Sequence, residues 1–264
     1  MSGAGLTVSD LHVAYGGVTA LRGASIDVPD GGFVSVLGAN GAGKTTLVRT
    51  VTGVLWLQKG RVTSGEITLG NESIVGKKSS HIVKAGVGQV PEGRMLFPRL
   101  TVEENLLCGA ASVKDHDLID EILERVFELF PPVKRLRKQT AGLLSGGEQQ
   151  MVAVGRALMS DPKLIVCDEL SLGLAPKIVA QLFELLTEIN QDQGVSVLVI
   201  EQNARLALQH TQYAYVFELG EVVLEGPSAE LRNDPQVQEL YMGGGGDAKD
   251  AYSGIVRKGR KNRG

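Results

Sequence analysis

The segment Gly38-Ala39-Asn40-Gly41-Ala42-Gly43-Lys44-Thr45 constrains the chain more than any other, because it fits the spacing G-x-x-x-x-G-K-[ST] and joins two periodicities. Before it, Phe33–Leu37 is an apolar run of strand length; after it, Thr45–Val51 reads as a helix. A strand that is apolar throughout is buried on both faces, as in a mainly parallel sheet covered by helices. Glycines let the backbone curl until several N–H groups point at one anion, and a helix N-terminus adds partial positive charge. Gly38, Ala39, Asn40, Gly41, Ala42, Gly43, Lys44, Thr45 and Thr46 are therefore expected to cradle the phosphates of a nucleoside triphosphate. Lys44 reaches the β- and γ-phosphates, and the Thr45 hydroxyl binds Mg2+.

A second apolar strand, Lys163–Cys167, runs into Asp168-Glu169. It delivers Asp168 to the sheet edge, where it holds Mg2+ through water. Glu169 lies one residue on, points elsewhere, and is the candidate general base for the attacking water. An isolated Asp-Glu pair after a strand more commonly marks only a helix start. With the phosphate loop upstream, the catalytic reading prevails.

The remaining pattern places these segments in a fold. LTVSDLHVAY, GASIDVP, GFVSVLG and SGEITLG form a β-rich N-terminal part, interrupted by one helical stretch from Lys44. A helical middle follows, with Thr101 and Glu104 as a capping box and Asp117–Phe130 as a helix that Pro131-Pro132 stops. Helices over Ser145–Met159, Pro176–Gln193 and Ala204–His210 then alternate with strands, Val195–Ile200 among them, before a hairpin turning at Gly220.

Glycine makes up 34 of the 264 residues, with no Gly-X-Y period, and the chain is 43% hydrophobic, so collagen and wholesale disorder are both excluded. No apolar run nears the length of a membrane helix, and no secretory signal is visible; the expectation is a soluble cytosolic protein. Two cysteines make no disulfide framework, and Cys167, inside a strand, is expected to be inert. The four histidines are scattered without metal-ligand spacing, and Asp115-His116-Asp117 reads as a solvated loop. The net charge of −3 argues against a general nucleic-acid binder. Residues 243–264 hold six Lys/Arg against two Asp, so they carry +4 and the rest −7. This basic tail, 243–264, is expected to be disordered: first a solvated extension, and only second an attachment to an acidic membrane surface or RNA.

Leu144-Ser145-Gly146-Gly147-Glu148-Gln149-Gln150 is a helix start with Ser145 as N-cap, and a second helix N-terminus suited to an anion. LSGGEQQ, upstream of LIVCDE and downstream of GANGAGKTT, resembles the signature of ABC-type ATPase subunits, and the resemblance runs from Leu6 to about Gly243. It implies an α/β P-loop NTPase fold with a mainly parallel core sheet, an N-terminal antiparallel β-subdomain and a helical signature subdomain. One ATPase domain would occupy 1–242, with the helical subdomain at about 94–160. The resemblance also implies that Tyr15 stacks on the adenine of ATP, and that Ser145, Gly146, Gly147 and Glu148 cap the ATP of a partner ATPase in a dimer. The helical middle would grip two transmembrane permeases.

VPEGRMLFPRLTVEENL, LSGGEQQMVAVGRALM, DELSLGLAP and VIEQNARLAL resemble more particularly the LivF family, ATPase subunits of branched-chain amino-acid importers, with urea and short-amide importers close behind. That family implies a second, distinct ATPase, an extracytoplasmic substrate-binding protein, no nucleic acid, and a peripheral place on the cytoplasmic face of the inner membrane. Three positions depart from the general ABC pattern. Glu92 stands where a Mg2+-contacting glutamine is usual, and its carboxylate suits a hard cation. Gln202 replaces the switch histidine at the γ-phosphate, and Ala175 replaces an aspartate. Leu170 stands where the branch has proline, which leaves the turn after Glu169 less constrained. A non-transport ABC ATPase and a non-hydrolysing regulatory subunit are the rival readings.

Overall fold

The apolar strands of the sequence are the buried centre of the fold. Residues 3–241 are described in the computed structural model of the chain; the tail, 243–264, lies outside them. The first part contains β1 (Leu6–Tyr15), β2 (Val18–Val28), β3 (Phe33–Gly38), α1 (Lys44–Val51), β4 (Gly60–Leu69) and β5 (Glu72–Ser73). Next come α2 (Ser79–Ala85), β6 (Val87–Val90), α3 (Val102–Gly109), α4 (His116–Leu129), α5 (Pro131–Arg135) and α6 (Gly146–Leu158). The last part runs through β7 (Leu164–Asp168), α7 (Pro176–Gln193), β8 (Ser196–Glu201), α8 (Ala204–His210), β9 (Tyr213–Glu218) and β10 (Glu221–Pro227). It ends with α9 (Ser228–Leu231) and α10 (Pro235–Tyr241).

Two sheets result. One is antiparallel in the order β2-β1-β4-β5; the other runs β10-β9-β3-β8-β7-β6, parallel except for the β9–β10 hairpin. Successive side chains of a strand face opposite ways, so β3, β7 and β8 each feed two cores. Val34, Val36, Leu164, Val166, Leu198 and Ile200 face the antiparallel sheet and α1. Phe33, Leu37, Ile165, Cys167, Val197 and Val199 face the helices. The second core is continuous with the helical middle through Val102, Leu106, Val126 and Phe127. Each such side chain contributes about 1.5–3 kcal/mol on burial, so the helical middle is packed onto the sheet.

Local chemistry explains where the structure departs from the sequence reading. Helix α1 starts at Lys44 as expected, whereas strand β7 starts at Leu164 and β8 at Ser196, each one residue after the expected start. Asp115-His116-Asp117 is no loop: Asp115 caps α4 by accepting from Asp117 N–H at 3.0 Å, and His116 and Asp117 lie in its first turn. Pro131-Pro132 end α4 but open α5, since proline fits the first helical turn, where its missing N–H costs nothing. A 3-10 turn, Leu55–Gln58, adds a second helical stretch to the N-terminal part. Helix α2 and edge strand β6 are additions to the expected elements; VGQV is too short to declare itself.

Candidate functional site

The loop after β3 leaves its helix uncapped by any side chain. Gly43 is the N-cap of α1 with φ 107°, a left-handed conformation that glycine adopts without strain, and no side chain bonds to the helix end there. The amides at this end are thus left for an anion. Helices α3 and α6 are treated differently: Thr101–Glu104 and Ser145–Glu148 close full capping boxes. In the second, the Ser145 hydroxyl donates to the Glu148 carboxylate at 2.7 Å, and that carboxylate also accepts from Ser145 N–H at 2.8 Å. The N-terminus of α6 is thus partly satisfied from within.

A cavity of about 350 Å3 opens at the α1 end, lined among others by Asn40, Gly41, Gly43, Lys44, Thr45 and Thr46, with Glu169 on its wall. Its size suits a small-molecule ligand. Lys44 is 4% exposed; its Nζ donates to Gly38 O at 2.8 Å and Ala39 O at 3.1 Å, and stands 3.4 Å from Glu169 Oε1. A buried ammonium needs such partners. Glu169 has φ 49°, uncommon for a residue with a Cβ, and its N–H is held by Ile200 O at 2.9 Å. That backbone directs its side chain toward Lys44. The neighbouring Leu170 is buried in the helical core.

Asp168, at the end of β7, is 4% exposed, and its Oδ1 is buried with no hydrogen-bond partner. Burial pushes its carboxyl up to about 6, aided by the charges of Glu169 and Glu92 and opposed by Lys44 and Arg49. An orphaned carboxylate oxygen held at this cost suits a cation. Among the described residues no three His, Cys, Asp or Glu side chains form a metal cage. A cation here would depend on ligand phosphate oxygens and water as well, the pattern of Mg2+. Thr45 lines the cavity beside Glu169, and Glu92 is exposed close enough to act on Asp168.

The other expected residues sit around this centre. Tyr15 Oη lies 3.4 Å from Thr46 Oγ1 and its ring packs with the antiparallel-sheet core. Gln202 is exposed directly after β8, and Ala175 is the N-cap of α7. The cavity brings the loop and Glu169 together; Asp168, Glu92, Ser145, Gly146, Gly147 and Glu148 do not line it, although the charges of Lys44, Glu169 and Glu92 act on Asp168. Cys167 is fully buried, and burial drives its thiol well above the usual range, so it is inert.

Two supports have no counterpart in the sequence reading. The turn Leu219-Gly220 clamps the loop: Gly220 N–H donates to Ala42 O at 2.9 Å, and Gly220 O accepts from Arg22 N–H at 2.9 Å. Gly220 has φ 89°, and a methyl there would strike the Ala20 carbonyl. Gly220→Ala should therefore lower stability by about 2 kcal/mol and weaken nucleotide binding; an unaltered thermal midpoint would refute this. The second support follows Glu92. Arg94 and Met95 have φ 68° and 48°, and Arg156 of α6 donates to both their carbonyls, at 3.0 and 2.8 Å. Fully buried Asn105 ties down Phe97 by accepting its N–H at 2.8 Å and donating to its carbonyl at 3.0 Å. The Arg156 contacts join residues about 60 apart, which leave no local pattern in the chain.

Comparison with known proteins finds relatives of both the sequence and the fold. The ABC transporter family model matches residues 21–171. Over 239 residues the chain is 44% identical to the high-affinity branched-chain amino acid transport ATP-binding protein BraG of Pseudomonas aeruginosa, covering 90% of this chain and 100% of that protein. It is 30% identical to the probable branched-chain amino acid transport ATP-binding protein LivF of Archaeoglobus fulgidus, covering 88% and 96%. Among solved structures, it resembles an ATP-binding cassette of an ABC transporter in its ADP conformation, with TM-score 0.76, 29% identity and coverage of 92% and 100%. It also resembles a dimeric bacterial ABC transporter cassette, with TM-score 0.73, 25% identity and coverage of 84% and 98%.

Proposed function

The chain belongs to the ATP-binding subunits of ABC transporters, and from this premise we propose that it is the ATPase that powers an importer of branched-chain amino acids. The likeness to BraG over that protein's whole length carries the proposal. Residues 1–242 act as one ATPase domain with the helical subdomain at about 94–160 inside it, a reading supported by the core they share.

The amides of 38–46 and Lys44 bind the phosphates of ATP, and Tyr15 packs against its adenine. Asp168, Thr45 and Glu92 would hold Mg2+, which when bound neutralises phosphate charge as the bond to the γ-phosphate breaks. Glu169 takes a proton from the attacking water, and its carboxylate is held at the loop by Lys44. Gln202 offers an amide to the γ-phosphate, able to hydrogen-bond but not to titrate near neutrality. Ser145, Gly146, Gly147 and Glu148 complete the site of a partner ATPase. Their place outside the cavity of their own chain, and the likeness to a dimeric cassette, support this reading.

Among the described residues no helix is long and apolar enough to cross a membrane; the likeness to BraG supports a peripheral place on the inner membrane's cytoplasmic face, held by permeases. A groove of about 410 Å3 between α2, α3 and α6 suits a permease segment; Met95, Phe97, Cys108 and Arg156 line it. Phe97 is half exposed beneath the Arg156 guanidinium. Phe97→Asp should leave ATP binding unchanged and detach the subunit from its permeases, read by co-purification from solubilised membranes. The function itself is tested on the complex isolated from native membranes with its substrate-binding protein. Hydrolysis should rise with leucine, isoleucine or valine; a response to urea or short amides instead, or nucleic acid in place of permeases, would overturn the reading.

A further inference from the structure

The buried carboxylate of Glu201 has no part in the roles above, yet three functional segments meet at it. It is 1% exposed at the end of β8. Its backbone pairs in register with Leu37, the residue before Gly38 of the phosphate loop. Its side chain crosses to the turn after Glu169, accepting Ser171 N–H at 3.0 Å on Oε1 and the Ser171 hydroxyl at 2.7 Å on Oε2. Gln202 follows it directly. The turn carrying Glu169 is thus held twice by β8, through Glu169 N–H on Ile200 O and through Ser171 on Glu201.

A full negative charge inside a protein costs several kcal/mol unless hydrogen bonds meet it. Both Ser171 donors are spent on it, and a neutral residue would fill this space at lower cost. We propose that Glu201 is a positioning residue for ATP hydrolysis: with Ser171 it locks the Glu169 turn to the Gln202 loop, so that base and γ-phosphate contact keep a fixed separation. The carboxylate takes two donors with one rigid, planar group, which an amide cannot do without turning an N–H toward the Ser171 hydroxyl. It does not line the cavity at the α1 end, so it acts through the turn it holds. Its effect is on turnover, because a displacement of about 1 Å in a reacting group costs on the order of 100-fold in rate.

The inference rests on the ATPase reading, and the test separates the two. The complete transporter complex is prepared as wild type, Glu201→Gln, Ser171→Ala, the double variant and Ser171→Thr. ATP hydrolysis at saturating nucleotide, nucleotide affinity and thermal midpoint are measured for each. Glu201→Gln and Ser171→Ala should each lower kcat about 10- to 100-fold with affinity within about twofold. The double variant should be no worse than the poorer single one, and Ser171→Thr, which keeps the hydroxyl, should recover most of the rate. Unchanged kcat, additive losses, a parallel fall in affinity, or a lower midpoint with kcat intact would each overturn the assignment. If Glu201→Gln does not fold, Ser171→Ala and Ser171→Thr decide alone. A wild-type complex without ATPase activity would instead count against the functional reading.

Discussion

Glu169→Gln should leave ATP binding within about twofold of wild type and lower hydrolysis by the assembled transporter about 10²- to 10⁴-fold, the range general-base catalysis supplies. Gln preserves the size and one oxygen of the side chain, and it still faces the Lys44 ammonium that Glu169 Oε1 meets at 3.4 Å. What it loses is the capacity to take a proton from water. The cavity, the loop amides and the Lys44 contacts to Gly38 O and Ala39 O are untouched, so affinity survives. Steady-state hydrolysis and equilibrium nucleotide binding on the same preparation check this. Turnover persisting within a few-fold would remove Glu169 from the role of base, and an equal loss of binding would make it a ligand of the phosphates.

Asp168→Asn should do something less intuitive: stabilise the nucleotide-free, metal-free protein while abolishing turnover. The folded protein holds the Asp168 proton more tightly than the unfolded chain, because burial lifts its carboxyl from the ordinary 3.8 to about 6. The folded state therefore binds more protons between those values, and stability falls as pH rises through that window, the full penalty being present above it. A rise of this size corresponds to about 2–3 kcal/mol. For a chain of this length that is on the order of 5 °C in thermal midpoint. In chelator, the variant should melt higher than wild type near pH 7.5, with the gain shrinking toward pH 4. An Asn variant that melts lower at both pH values would show that Asp168 is satisfied without a cation. Added ATP and Mg2+ should reverse the order, stabilising wild type and not the variant.

Much of the site is legible in short stretches of chain. The loop 38–45 declares itself because its glycines, its lysine and its flanking strand and helix act within a few residues of one another. The same holds for Asp168-Glu169 at the end of an apolar strand, and for the Ser145–Glu148 capping box, whose partners are three residues apart. Helix α7 is legible to the residue, since Pro176 and Gly194 punctuate both its ends. Where sequence and structure differ, the signal is too short or a local cap competes with a loop. Strand β6 is four residues long and gains its place only by pairing with β7. Asp115–Asp117 forms a helix cap in place of the expected loop, because an aspartate before a helix is more use bonded to free amides than to water.

Sequence by itself determined the motifs: a glycine-rich loop ending in lysine, two carboxylates at a strand end, and the alternation of buried strands with helices. These are written in side-chain type and in periods of two and of 3.6 residues. Only the tertiary structure decided which residues hold those motifs in place. Gly220 clamps Ala42, Arg156 latches Arg94 and Met95, and Glu201 ties down Ser171 from 30 residues away. The Gly220 and Glu201 pairings follow from the strand order β10-β9-β3-β8-β7-β6, and the Arg156 pairing from the packing of α6 against the loop after β6. They depend on distances across the fold, and no local pattern in the chain encodes those.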